Sequence, residues 1–543
     1  MDSLARFGTT VTQQWCARMN TQGSSFSVAN DRFKSSFLPA VLALLAAPAV
    51  VARADRSPYE WALIQLDYAR QQKAQELRAF CDRVHALAQK MAQDALVLSC
   101  FDINRKYSEA LEKGAIPEAL STSVAQLREG FRSYYIDNYL AFYDILFVDL
   151  QGNVFYTIRK ESDLNQNVLR DHVRTGALSD CLKTKPTREA FLDFCNYGPS
   201  SEPAAFFVEP VYKENDLNGW IVLQCAVNKL NTLFAWTDSL GKTGETFLVN
   251  REGFMPTESN FEGSSTILAK RLDDRNIQAK FSEGRGHRTV TDYRGYTALT
   301  SFEVVEFLGT SWLVVAKMDK HEIITRYYAQ HRRYFGDRLL DYLRDAPLPK
   351  LRDDPPTKAK KVLRVDMDEF VKADHGERLR TFGISTCTGF LAAYQGRFAY
   401  LAHISPKDKI YGSDDTNLLG KMLKKIKTFD VYPCDTHRIV FVVVATHLDS
   451  LLAIVDKLVE EGFLLSQIRM MYNPRAHSGG ISYDPLQNDL RVDWRLPKTP
   501  DVRRVHRMVD ATSLEEIIQH VMASEGRGTM PGVSADAADA TQE

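Results

Sequence analysis

The chain has 543 residues, enough for about three to four domains at roughly 150 residues each. Hydrophobic residues make up 44% and charged residues 25%, a globular balance that excludes a mainly disordered chain or a polytopic membrane protein. Lys plus Arg number 68 and Asp plus Glu 69, so the net charge of -1 offers no basic excess for a nucleic-acid partner.

Residues 1–54 read first as a targeting segment. A polar leader carries Arg6, Arg18, Arg32 and Lys34, and its length leaves Met19 as an alternative start. The apolar run Phe37–Ala52 is broken by Pro39 and Pro48 and is shorter than the ~20 residues a spanning helix needs. It ends in Ala52-Arg53-Ala54, a small-residue cleavage pattern. This is a secretory signal peptide, or an uncleaved N-terminal anchor. Either way the remainder is periplasmic or otherwise extracytoplasmic, and meets a membrane only through this segment if it stays uncleaved.

Ser57-Pro58-Tyr59-Glu60 is a helix start, with Ser as cap, Pro at the first helical position and Glu three residues after the cap. A long helix then runs to about Cys100 on Leu63, Leu66, Ala69, Leu77, Phe80, Val84 and Leu87, and a second covers about 104–114. From 143 the period shortens to that of strands. Ile145–Leu150 and Val154–Ile158 flank the turn Gln151-Gly152-Asn153, and Ala204–Val208 and Trp220–Ala226 follow. A helix at 227–238 leads through Gly241-Lys242-Thr243-Gly244-Glu245-Thr246 to Phe247–Asn250, and strands near 287–293, 296–304 and 311–317 form a second set. The class is α+β, a long N-terminal helix with two antiparallel-sheet subdomains.

The segments YDILFVDLQGNVFYTI, FLDFCNYGPSSEPAAFFVEPV, GWIVLQCAVNKLNTLF and GKTGETFLVNREGFMPTESNF resemble double Cache sensor domains, the extracytoplasmic ligand-binding modules of chemoreceptors, sensor kinases and cyclases. The resemblance covers about 56–325, within a sensor domain of 55–325. It implies PAS-like subdomains, distal at about 130–240 and proximal at about 241–320, with a small-molecule ligand in the distal one. Tyr143, Tyr156, Arg159, Asp193, Phe206 and Glu209 flank the distal strands and are the candidate ligand-binding residues. Residues 326–362 read as a linker, helical at first and then broken by Ala346-Pro347-Leu348-Pro349 and Asp353-Asp354-Pro355-Pro356.

Residues 363–497 form a separate α/β unit. Within it, 379–406 reads as a hairpin around Tyr394-Gln395-Gly396. A three-residue loop there sets Cys387 directly across from His403; a two-residue loop would put them on opposite faces. A Cys beside a His suits nucleophilic catalysis, because the imidazole can take the thiol proton. The unit resembles the chemoreceptor glutamine deamidase CheD, on Thr381, then Phe382-Gly383-Ile384-Ser385-Thr386, Cys387, and Ala402-His403 with Ser405-Pro406 after it. The resemblance extends through Asn473-Pro474-Arg475 and Ser478-Gly479-Gly480-Ile481-Ser482-Tyr483-Asp484. It implies an α/β sandwich in which Cys387 is the nucleophile, His403 the base and acid, and Thr381 the orienting member. The implied activity is hydrolysis of a glutamine side-chain amide on a protein substrate. Ser385 stands where the family has glycine, and Val443-Val444-Ala445 where it has a Gly-Gly-Ala turn. A non-enzymatic domain that docks a protein partner is the other reading.

A C-terminal helix over 498–524 and a disordered tail over 525–543 complete the chain. Of the eight cysteines none forms a C-x-x-C pair, and no zinc spacing, H-E-x-x-H, P-loop or G-x-G-x-x-G occurs, so neither metal nor cofactor is implied. Cys181 and Cys195 are close enough in sequence for a disulfide.

Overall fold

The computed structural model describes residues 57–114, 117–138, 142–170, 172–235, 240–272, 274–345, 361–394, 396–406, 417–431, 433–448, 451–497, 499–507, 511–524 and 526. The expected targeting segment lies outside them, as do the tail from 527 onward and the charged half of the expected linker. Within them, no helix is long and apolar enough to cross a membrane.

Helix α1, Pro58–Ala92, begins at the capping box its sequence encodes: Glu60 N donates to Ser57 Oγ at 3.1 Å and Ser57 N to Glu60 Oε2 at 2.9 Å. Its buried stripe runs through Tyr59, Ala62, Leu66, Ala69, Leu77, Cys81, Val84, Ala88 and Met91 at three- and four-residue spacing. Leu63, Phe80 and Leu87 flank that stripe and are only partly buried. Helices α2 (Ala95–Glu112) and α3 (Glu118–Asn138) follow.

The first sheet is antiparallel with order β2-β1-β5-β4-β3: β1 Phe142–Val148, β2 Val154–Thr157, β3 Ala190–Tyr197, β4 Glu202–Lys213, β5 Asp216–Ala226. Helix α4, His172–Lys183, lies between β2 and β3 in the chain, and α5, Val227–Phe234, follows β5. Alternation along the strands sends Phe147, Phe207 and Leu223 to the core shared with α1, and Leu146, Phe206 and Val222 to a second core on the other face. The second sheet has order β6-β9-β8-β7: β6 Glu245–Asn250, β7 Arg285–Thr291, β8 Thr297–Phe307, β9 Thr310–Asp319. Helix α6, Asp274–Glu283, precedes β7 and covers one face through Ile277 and Phe281. The start of α1 covers the other through Leu66 and Ala69 against Leu299 and Ala316.

The C-terminal half is a three-layer arrangement. Sheet order β10-β12-β17-β18-β19 comprises β10 Lys361–Arg364, β12 Glu377–Ile384, β17 Ser478–Asp484, β18 Asp489–Leu496 and β19 Thr499–Arg507. It faces a mixed sheet of order β11-β14-β13-β15-β16-β20: β11 Glu369–Ala373, β13 Thr388–Tyr394, β14 Phe398–Ile404, β15 Ile439–Ala445, β16 Ile468–Tyr472 and β20 Thr512–Ser513. Odd-numbered residues of β13 and β14 (Leu391, Ala393, Ala399, Leu401) fill the space between the sheets. Even-numbered ones (Phe390, Ala392, Tyr400, Ala402) face the helical layer.

That helical layer corrects the linker reading. Helices α7 (Lys320–Gln330) and α8 (Arg332–Asp345) do not space two domains apart. Ile324, Tyr327, Tyr328, Phe335, Leu339 and Leu343 lie in one core with α9 (Leu418–Lys425), α10 (Leu451–Glu460) and α11 (Leu514–Ser524). Polar contacts tie the same surfaces: His321 Nδ1 to Glu515 at 2.7 Å, Tyr328 OH to Asp456 at 3.2 Å, and Leu465 N to Thr325 Oγ1 at 3.0 Å. The C-terminal unit is therefore not separate, because the amphipathic face of 320–345 has its apolar partner there. The expected helix over 498–524 is also shorter. The chain reverses after Leu496, so Thr499 pairs with it and 499–507 extends the outer sheet; helix begins only at Leu514.

A test follows from the helical layer. Leu339 is fully buried, so Leu339→Ala should lower stability by about 2–5 kcal/mol in urea denaturation. A residue in a solvated spacer would lose no more than about 0.5 kcal/mol.

Candidate active site

Thr381 and His403 come from different sheets. Thr381 sits on β12 and His403 on β14, and both point into the space between them, at 0% and 5% exposure. Thr381 Oγ1 lies 2.8 Å from His403 Nδ1 and 2.8 Å from the Val365 carbonyl oxygen. A carbonyl can only accept, so the threonine proton goes to Val365. The hydroxyl oxygen must then accept from Nδ1–H. This fixes the neutral ring with its bare nitrogen at Nε2. Nε2 is buried and has no hydrogen-bond partner. The pair thus leaves an imidazole with one nitrogen anchored and the other free to accept a proton.

Cys387 lies on the bend 385–387 between β12 and β13, at 7% exposure. The expected register is displaced by two. Tyr394 pairs with Phe398 and Gly389 with His403, so the hairpin loop is 395–397 rather than 394–396. Continued past the strand, that register would set Cys387 across from Ser405 rather than His403, and Cys387 lies on the bend before β13 begins at Thr388. No hydrogen bond joins the thiol to the ring. Its contact is Met367 Sδ at 3.9 Å, and Met367 is itself 60% exposed. The bend is fixed by the residues that follow β15: Thr446 Oγ1 and His447 Nδ1 both donate to the Ser385 carbonyl, the latter at 2.9 Å. Val443, Val444 and Ala445, expected near a turn, are inside β15 and buried.

Asp368 is the residue the sequence reading missed. Its backbone is left-handed at φ 62°, which Asp tolerates better than most residues. Its N–H donates to the His403 carbonyl at 2.7 Å, and its carboxylate accepts from Ser405 N and Oγ, both at 3.0 Å. Burial, reinforced by Asp368, pushes the Cys387 thiol up. Burial pushes His403 down, against the opposing pull of Asp368 and Asp366. The resting state is therefore neutral thiol and neutral imidazole, not an ion pair.

No family model matches the chain, and no curated protein matches it. Solved structures similar to it include an extracellular ligand binding receptor from Desulfohalobium retbaense, 13% identical over 47% of this chain and 40% of that one, TM-score 0.33. Another is the ligand binding domain of the Pseudomonas aeruginosa amino acid chemoreceptor PctC in complex with GABA, 16% identical over 47% of this chain and 98% of that one, TM-score 0.32. A third is the ligand-binding domain of the Campylobacter jejuni chemoreceptor Tlp3 in complex with 4-methylisoleucine, 12% identical over 50% and 95%, TM-score 0.35. The matched region spans well under two thirds of the first of these.

The six candidate ligand residues of the first sheet do not line one pocket. Tyr156 packs between Phe131 and Phe147 on the α1 side, whereas Phe206 meets Tyr197 on the opposite face. Tyr143 donates to Glu161 at 2.8 Å and carries the Arg159 guanidinium over its ring at 3.9 Å. Asp193 accepts from Trp312 Nε1 at 2.9 Å and so ties the first sheet to the second. Cys181 and Cys195 are free thiols against the second core, so the disulfide is not formed.

Glu209 is buried, and its Oε2 has no hydrogen-bond partner. Burial, with Glu189 nearby, pushes its carboxyl up to about 7. The folded protein then holds this proton more tightly than the unfolded chain, so stability falls as pH rises from about 4.5 through about 7. Glu209→Gln should raise stability by about 1–3 kcal/mol at pH 8 and by little near pH 4.5, read by denaturant titration at both.

Proposed function

We propose that the C-terminal sandwich is a cysteine amidohydrolase of the glutamine-deamidase kind, joined to an N-terminal small-molecule sensor of the double Cache kind. The reading includes an extracytoplasmic location, for which Phe37–Ala52 is the support. One observation supports the enzymatic part: the Val365–Thr381–His403 chain of hydrogen bonds, which leaves His403 Nε2 as a buried proton acceptor.

The chemistry follows from those atoms. Cys387 Sγ attacks the carbon of a glutamine carboxamide, and its proton passes to His403 Nε2. The carbon–nitrogen bond breaks as His403 returns the proton to the departing ammonia. Water then gives a proton to Nε2 and its oxygen to the thioester carbon. Glutamate forms, the thiol is restored, and the sum is glutamine plus water to glutamate plus ammonia. Because both groups start neutral, the proton moves only as the sulfur bonds to substrate. Met367 must swing aside first, and its exposure leaves room for that. The covered thiol favours a second reading, in which the domain only docks a protein partner.

Alkylation of Cys387 by iodoacetamide, followed by mass spectrometry, separates the two. The amidohydrolase reading expects Cys387 to label at pH 7 at least about tenfold faster than in His403→Ala, and Thr381→Val to lie between them. Equal labelling in wild type and His403→Ala would leave a docking module.

A further inference from the structure

The second sheet unit holds a cavity of about 210 Å³ between β6, β7 and β9 on one side and α6 with the 270–272 segment on the other. Its wall is apolar along Phe247, Ile277, Val290 and Val315. Its charged lining differs from an ordinary surface in how the charges are matched. Lys317 is paired with Asp292 and with Glu245 at 3.3 Å, and Lys270 with Glu262 at 2.8 Å. Lys280 lines the same cavity at 5% exposure and has neither an ion pair nor a hydrogen bond among the described residues. The acid one turn along, Glu283, is held by Arg288 at 2.8 Å, and Lys280 itself lies 5.6 Å from the Phe302 ring.

A buried ammonium without a counter-charge is costly and seldom kept. Burial and the nearby Arg288 push Lys280 down to about 8, with Glu283 opposing. A carboxylate in the cavity supplies what the fold withholds. Lys270 and Lys317 of the same lining are already paired with carboxylates and Arg271 Nε donates to the Glu252 carbonyl, so the site suits one negative charge on Lys280 better than a dianion such as phosphate. At about 30 Å³ per water, the space holds about seven water volumes, the size of a short-chain acid.

We propose that this cavity binds a small organic monocarboxylate, its carboxylate on Lys280 and its short apolar body against Phe247, Ile277 and Val315. The site is distinct from the candidate residues of the first sheet and from Cys387, and it stands whether or not the C-terminal domain is an enzyme.

The test is calorimetric titration of the full chain with pentanoate, with pentanol, pentylamine and inorganic phosphate as controls. Pentanoate should bind at millimolar or tighter affinity and the controls should not. Lys280→Met, which removes a buried charge and so should fold, is expected to weaken pentanoate at least about tenfold. Ile277→Phe, which fills the cavity, should weaken it with Lys280 intact. Absence of pentanoate binding would overturn the proposal. So would phosphate binding in its place, or pentanoate binding unchanged in both variants.

Discussion

Burial of the apolar face of 320–345 is the constraint on which the other parts depend. Ile324, Tyr327, Tyr328, Phe335, Leu339 and Leu343 have no comparable partner in the two N-terminal sheets; their core is the outer face of the sheet that carries His403. Burying each such side chain is worth about 1.5–3 kcal/mol, so together they outweigh any single polar contact across the same surface. The β9 strand runs directly into α7 at Asp319–Lys320, which leaves no slack between the second sheet and that core. Glu322 tightens the junction further: its carboxylate accepts from Lys242 N and Thr243 N in the loop that precedes β6. Lys242 Nζ in turn reaches the Gly462 carbonyl at 3.2 Å.

The chemistry of the candidate site depends on the sandwich in a similar way. The threonine that orients the imidazole belongs to the opposite sheet, so the ring is held only while the two sheets stay packed through Leu379, Leu391, Leu401 and Val442. A shear of either sheet would break a 2.8 Å hydrogen bond and release the tautomer. Asp368 adds a second dependence, since its backbone holds the His403 strand while its charge acts on both the thiol and the ring.

Much of this was legible in the residues. The capping box at Ser57 and the two antiparallel sets follow from local signals that the fold keeps, whereas Thr381 was set beside His403 only by family resemblance, since the two lie on different sheets. The hairpin register was not, because a glycine at φ 74° fits a loop of 394–396 as well as one of 395–397, and only the pairing of Tyr394 with Phe398 decides. Asp368 was invisible for another reason: it reaches His403 across a strand pair, and nothing in Val365-Asp366-Met367-Asp368 announces that. The stretch 323–343 reads as helical, but nothing in it says that its apolar residues are buried or what buries them. The six residues of the first sheet do not gather on one face, since Tyr156 on β2 packs in the α1 core and Phe206 on β4 in the second core.

The shared helical core also sets where this chain can be divided. Cut at the proline-rich stretch near 346–360, the C-terminal piece would lose Phe335, Leu339 and Leu343 and expose Phe390, Tyr400 and Phe441 behind them. The smallest transferable C-terminal module therefore starts at Lys320. A recombination event that moved this sandwich behind a different N-terminal domain would have to carry the helix pair with it, or find a host whose own exit helix offers the same apolar face.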